Sequence, residues 1–171
     1  IFQHKGSMEC MNAFSATLGA EDEYCNFEKS LPPESEDCGD GTGQFGITGG
    51  GCTTARDFLR GALIEGLHEQ ARTGVNPFKL GVIASTDTHN ATPGHVSESA
   101  WKGHTGRVEW SPEARLGGEE SLTTSPWLSS GGGLVGVWAY ENSRDAIFEA
   151  LHRRESWGTS GPRISLRFFG G

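Results

Sequence analysis

The sequence predicts an α/β protein, and three observations predict it. The run 80–84 (LGVIA) is short, apolar and carries β-branched residues, as a buried strand does, and it stops at the polar cluster 85–90 (STDTHN). A helical stretch over 54–72 feeds this run through a short turn. A second apolar run at 134–139 leads into a second helix and then an alternating segment, so strand, loop, helix and strand recur.

Each element has its own warrant. The opening residues, IFQHKG, read as the end of a strand with Phe2 and His4 on one face. Residues 10–52 show no helical or strand period and form a long Cys/Gly-rich loop. A loop of that length in a compact domain is usually functional or tied down. Asp37 and Asp40 lie among its glycines, but the spacing and terminal glutamate of an EF-hand are missing. Thr53 or Thr54 caps the first helix, with Asp57 three residues after Thr54. Leu59, Leu63 and Leu67 recur every four residues as an apolar stripe. Gly74 suits the position after the helix, and Asn76-Pro77 forbids continuation. Ser143 caps a helix from Arg144 to about Arg153 whose apolar face holds Ile147, Phe148 and Leu151. In 163–168 apolar and polar residues alternate, which predicts a half-exposed strand.

Composition bounds the function. With 171 residues, 35% hydrophobic and 21% charged, the chain is long enough for a single domain with a real core. A net charge of −8 argues against a nucleic acid or an anionic membrane held by charge. No apolar run nears the roughly 20 residues of a membrane span. Cys10, Cys25, Cys38 and Cys52 fall in the first third with no CxxC pair, a spacing that suits disulfides better than zinc. Nearness along the chain favours Cys10–Cys25 and Cys38–Cys52 and with them a periplasmic or secreted location; four free thiols is the alternative.

The chemistry-bearing residues cluster at the strand ends, where α/β proteins place their sites. Asp87 and His89 are two apart, so extended chain would aim both at one cation; an Asx turn with a histidine beside it is the alternative. His4 ends the opening strand as a third metal-ligand candidate, with Glu9 close by in sequence. The irregular stretch 95–130 carries His95, His104, Trp101, Trp110 and Trp127, where the tryptophans read as packing. His104, in KGHTG, is the better site candidate because flanking glycines permit close approach. Glu141 closes the second strand.

The segments IFQHKGSMEC, GVNPFKLGVIASTDTHNATPG, GGLVGVWAYENSRDAIFEALHRRE and GTSGPRI together resemble the C-terminal part of the domain-of-unknown-function 3604 family. That family is similar to the PHP (polymerase and histidinol phosphatase) superfamily of metal-dependent phosphoesterases. The resemblance implies a partial PHP-like (β/α) barrel, with mainly parallel strands, flanking helices and long irregular loops. STDTH resembles the superfamily's late Asp-x-His motif and implies that Asp87 and His89 are metal ligands. QHK resembles the strand end that supplies a single histidine, here His4. It also implies a divalent cofactor (zinc, manganese or iron) and hydrolysis of a small phosphoester or other ester. His104 and Glu141 then become candidates for proton transfer or ligand support, and Lys5, Arg144 or Arg163 for binding a substrate anion.

The superfamily's early His-x-His motif is absent from these residues. The chain is therefore expected to be the last part of a longer barrel, incomplete for catalysis by itself. A half-barrel would leave a sheet edge and apolar surface bare, which predicts a homo-oligomer, a rearranged sheet or a missing N-terminal segment. Two non-enzymatic functions stand beside the hydrolase: a segment that completes a barrel supplied elsewhere, and a small-molecule binding module.

Overall fold

A computed structural model describes residues 1–10, 25, 36–39, 51–105, 111–117 and 130–170. The chain gathers into two compact units, one of Ile1 with Ser7–Leu80 and one of Phe2–Gly6 with Gly81–Gly171. The described elements run β1 (Phe2–Gln3), β2 (Gly6–Ser7), α1 (Leu59–Thr73), α2 (Pro112–Gly117), β3 (Val135–Val137), α3 (Arg144–His152) and β4 (Ser156–Gly158).

Among the described residues the expected barrel is not formed. The described residues hold three helices and two two-stranded sheets, β1-β2 and β3-β4, and the second is antiparallel. The described residues therefore do not form a mainly parallel α/β architecture. The run 80–84 shows why. Ala84 and Thr86 are buried, Val82 is half-buried, and Gly81, Ile83 and Ser85 are exposed. The run is thus wet on one face, and it meets β1 through a single bridge, Phe2 to Ala84. The segment 163–168 is exposed throughout and forms no strand.

In the first unit, Thr54 N donates to Asp57 Oδ2 at 2.9 Å, the predicted cap pairing. It closes a 3-10 turn over Ala55–Asp57 rather than the α-helix itself, because Phe58 is extended (φ −113°, ψ 151°) and α1 begins only at Leu59. Gly74 ends α1 at φ 81°, as its sequence position foretold. The leucine stripe packs only at its start: Leu59 is half-buried, while Leu63 and Leu67 are 39% and 63% exposed. The packing face is made by glycines. A Cβ on Gly61 would lie 2.1 Å from Ala55 O, and one on Gly66 would lie 2.4 Å from Asn76 Oδ1. Disulfides join Cys10 to Cys25 and Cys38 to Cys52. Beside the second, Thr53 N donates to Glu36 O and Cys38 N to Thr53 O. Glu9 pairs with Arg60 at 2.7 Å. Asp37 Oδ1 accepts from Gly39 N in an Asx turn, while Asp40 lies outside the described residues.

In the second unit, β3 pairs with β4 in the register Val135 to Gly158 and Val137 to Ser156, and the Trp138 and Trp157 rings meet at a tilt with centroids 4.8 Å apart. Ser143 Oγ accepts from Ala146 N and starts α3 as predicted. Three segments then meet edge to edge. Ser85 N donates to Phe2 O, His4 N to Thr86 O, Gly133 N to Ser85 O and Ser130 N to His4 O. Gly131, Gly132 and Gly133 are all buried at this seam. No described helix is long and apolar enough to cross a membrane.

Candidate functional site

The seam of the second unit carries the site. His4 is held by its backbone on both sides, by Thr86 O at 3.1 Å and Ser130 N at 2.9 Å, and is 0% exposed. Gly132 makes this closeness possible: at φ 76°, a Cβ there would meet Thr86 Cα at 2.7 Å and His4 N at 3.1 Å. On the other side, Asn90 Nδ2 donates to Gly103 O at 2.8 Å and His89 N to His104 O at 2.7 Å. These two bonds clamp the 85–90 cluster to the 103–105 segment. His104 is thereby buried against His4, with His104 Nδ1 2.8 Å from His4 Nε2.

Three imidazoles therefore lie in sequence, their rings tilted against one another by 34° and 46°. The His4 and His104 rings are 4.6 Å apart and the His104 and His89 rings 4.3 Å. The His89 side chain is 60% exposed and forms the open end. Asp87 reaches the cluster by a route other than the expected extended chain. Its φ is +51°, a left-handed conformation that aspartate tolerates better than most residues. The turn still brings Asp87 Oδ1 to 4.0 Å from His89 Nε2. Its other oxygen, Oδ2, accepts from Lys5 Nζ at 2.5 Å.

The electrostatics follow from burial and neighbours. Desolvation pushes the His4 imidazole down to about 3; the charges of Lys5, His104 and His89 act in the same direction and that of Asp87 against them. His4 is thus neutral at physiological pH, the form in which histidine binds metals. For Asp87, burial works to raise the pKa, but the Lys5 hydrogen bond and charge outweigh it and hold the carboxyl below its usual range.

The donor set can be tested against a divalent cation. Among the described residues His4 Nδ1 is buried without a hydrogen-bond partner, while its Nε2 contacts His104. In the tautomer in which His4 Nε2–H donates to His104 Nδ1, His4 Nδ1 keeps its lone pair, the way histidine ligands are commonly held; in the other tautomer Nδ1 carries the proton. Among the described residues no three carboxylate, imidazole or thiolate groups form a converged metal centre. Asp87 is tied to Lys5 instead. The residue types suit a cation, but among the described residues they do not converge on one.

Of the predicted site residues, His4, Asp87, His89 and His104 are brought together. Glu141 is exposed, and no hydrogen bond or ion pair among the described residues joins it to them. Arg144 and Arg163 are exposed on the surface, and Trp110 and Trp127 lie outside the described residues. Trp101 lies 6.4 Å from the His4 ring, and its Nε1 is buried without a partner. Sequence reasoning missed the glycine triplet as the element that admits His4, and the pairing of Lys5 with one Asp87 oxygen. A cavity of about 370 Å³ lies beside the seam, lined in part by Ser97, Glu98, Ser99, Ser130, Gly132 and Ser160.

A family model described as Protein of unknown function (DUF3604) matches residues 1–171. The chain belongs to the DUF3604 family. No curated protein and no solved structure matches it. Within the DUF3604 chain the site rests on segments spread over the length of the second unit, 2–6, 85–90, 103–105 and 130–133.

Proposed function

We propose that this DUF3604 chain carries the metal-binding part of a divalent-metal-dependent hydrolase acting on a phosphoester or a related ester. His4, Asp87 and His89 are the ligands in this reading. His104 is a positioning residue that fixes the His4 tautomer through the Nδ1–Nε2 contact. The observation that carries the reading is the fully buried His4, neutral and with an unpartnered Nδ1, set among two further imidazoles and a carboxylate. The likeness of STDTH to the Asp-x-His motif of the PHP superfamily supports it. A bound zinc, manganese or iron ion would supply Lewis acidity and neutralise charge developing on the ester. The chain's own contribution is a dry wall of backbone and glycine behind His4 and an open face at His89. The hydroxyl-rich cavity shares Ser130 and Gly132 with the backbone that holds His4, which suits it to the alcohol portion of an ester.

The two disulfides are compatible with an oxidising compartment, and a periplasmic or secreted location is part of the proposal. So is association with a second copy or with further chain. Tyr140, Phe148, Phe168 and Phe169 are all more than half exposed, which supports it.

Metal analysis tests the reading. Protein purified without chelator, offered Zn²⁺ or Mn²⁺ and desalted, is expected to retain about one ion per chain. Asp87→Ala and His4→Ala should lose it, and Glu141→Ala should keep it. Wild-type protein with less than ~0.1 ion per chain removes the hydrolase reading in favour of a binding module or a non-catalytic segment. Full retention in Asp87→Ala shows that the ligands were misassigned.

A further inference from the structure

The cavity of about 370 Å³ beside the seam lies wholly within the second unit, and its lining comes from three segments, 96–99, 130–132 and 160–162. Each segment is held mainly through its backbone. Gly131 lets the first two close on each other, since a Cβ there would lie 2.6 Å from Val96 O. Ser130 N donates to His4 O, and Gly132 N to Ser130 Oγ. The third segment is tied through Thr159, whose N donates to Leu134 O and whose Oγ1 donates to Gly161 O. Gly131, Gly132 and Gly161 are buried, while Ser97, Glu98, Ser99 and Ser160 are exposed at the rim. The walls are therefore set by backbone, and most of the polar side chains on them are left for a ligand. Ser97 Oγ and Ser99 Oγ, 3.1 Å apart, share one hydrogen bond, which leaves the pair one proton to give and lone pairs to accept. Ser130 Oγ accepts from Gly132 N and keeps its own proton. Among the described residues the Glu98 and Ser160 side chains have no hydrogen bond or ion pair.

We propose that this cavity is a binding site for a neutral polyol, a sugar or sugar alcohol with adjacent hydroxyls. The Glu98 carboxylate only accepts, and it can take the protons of two neighbouring hydroxyls. The serine hydroxyls both give and accept, so they suit ligand oxygens that do the same. Val96 and Pro162 add apolar surface for the carbon skeleton. An anion is disfavoured: among the described residues no lysine, arginine or histidine lines the cavity, and an anion would meet an unpaired carboxylate in a chain of net charge −8. A wholly apolar ligand would strip water from the hydroxyls and the carboxylate without replacing it. The volume is at the small end of ligand pockets, which suits one ring or a short open chain rather than an oligomer. The site stands apart from the hydrolase reading, since none of its residues is among the proposed metal ligands.

Titration with D-glucose, D-galactose, D-mannitol and myo-inositol, read by saturation-transfer NMR and calorimetry with chelator present, tests the site. At least one of the four is expected to bind with a Kd of about 1 mM or tighter. Glu98→Gln keeps the shape and removes the charge, and should weaken that binding about tenfold. Ser160→Tyr should fill the space and abolish it. Both positions are exposed, so each variant should keep the wild-type thermal midpoint, and either one carries the test if the other unfolds. Inorganic phosphate at the same concentration should not displace the polyol. Absence of binding by all four polyols overturns the proposal. So does binding that the folded variants leave unchanged, which puts the polyol elsewhere on the molecule. Displacement by phosphate, or tighter binding of ethanolamine than of any polyol, assigns the cavity to a charged ligand and overturns it as well. Because chelator is present throughout, failure of the metal reading and failure of this one are told apart.

Discussion

His4 joins full burial to an unsatisfied ring nitrogen, and an unpaired buried polar atom costs about 1–3 kcal/mol. That combination gives a pH signature. The native imidazole titrates at about 3, below the ordinary histidine value of 6.5. Between those values the unfolded chain holds a proton that the native chain refuses. The contribution to stability is therefore complete above pH 6.5 and is lost as pH falls toward 3. In chelator-treated protein, lowering the pH from 7 to 5 should cost about 2 kcal/mol, read as a lower urea midpoint. His4→Asn should flatten that slope; an unchanged slope would place the proton elsewhere. At this scale the sequence spoke clearly. His4, Asp87, His89 and His104 were all legible as polar residues at segment ends or between glycines. The Lys5–Asp87 pair was not, because 82 residues separate its members and no local pattern links them.

At the scale of elements, local signals held and burial patterns misled. Ser143 before α3 and Gly74 after α1 act through neighbours three and four residues away and do what their residue types require, while the Thr54–Asp57 pair forms but closes a 3-10 turn instead of capping α1. The leucine stripe of α1 failed past Leu59 because close approach at Gly61 and Gly66 competes with leucine burial for the packing face and wins. The run 80–84 failed because a continuous apolar stretch does not reveal how many neighbours will cover it. The glycine triplet at 131–133 reads in sequence as a loop, yet it is buried where three segments join. Gly132→Ala should therefore destabilise the protein by about 2–4 kcal/mol, since the atoms a Cβ would strike, Thr86 Cα and Ser85 O, are backbone and cannot swing aside. Thermal unfolding measures this. A loss below about 0.5 kcal/mol would show that the seam is not tightly closed.

For the whole molecule, the disulfide framework was the most readable feature and the barrel the least. Cysteine pairing by proximity matched the observed bridges, which close separations of 15 and 14 residues. Each constrains the unfolded chain by an amount worth about 3 kcal/mol. Thiol titration under denaturing conditions should find no free thiol before reduction and four after it. Reduction should then lower the unfolding midpoint; a reduced protein of unchanged stability would show that the bridges carry no load. The barrel expectation came from resemblance of short motifs, and such motifs fix a strand end without fixing how many strands stand beside it. The described segments around the site are joined by the Phe2–Ala84 bridge and by backbone bonds at Ser85, Thr86 and Ser130, which hold the site residues without an extended parallel sheet among the described residues.

The claim on which the functional account turns is that histidines of the 2–6 and 85–90 segments bind one cation together. Zinc K-edge absorption of the loaded, desalted protein tests it most directly. The account predicts an N/O shell at about 2.0–2.1 Å with imidazole outer-shell scattering that weakens in both His4→Ala and His89→Ala. A shell that both substitutions leave untouched, or one built from sulfur, would contradict it.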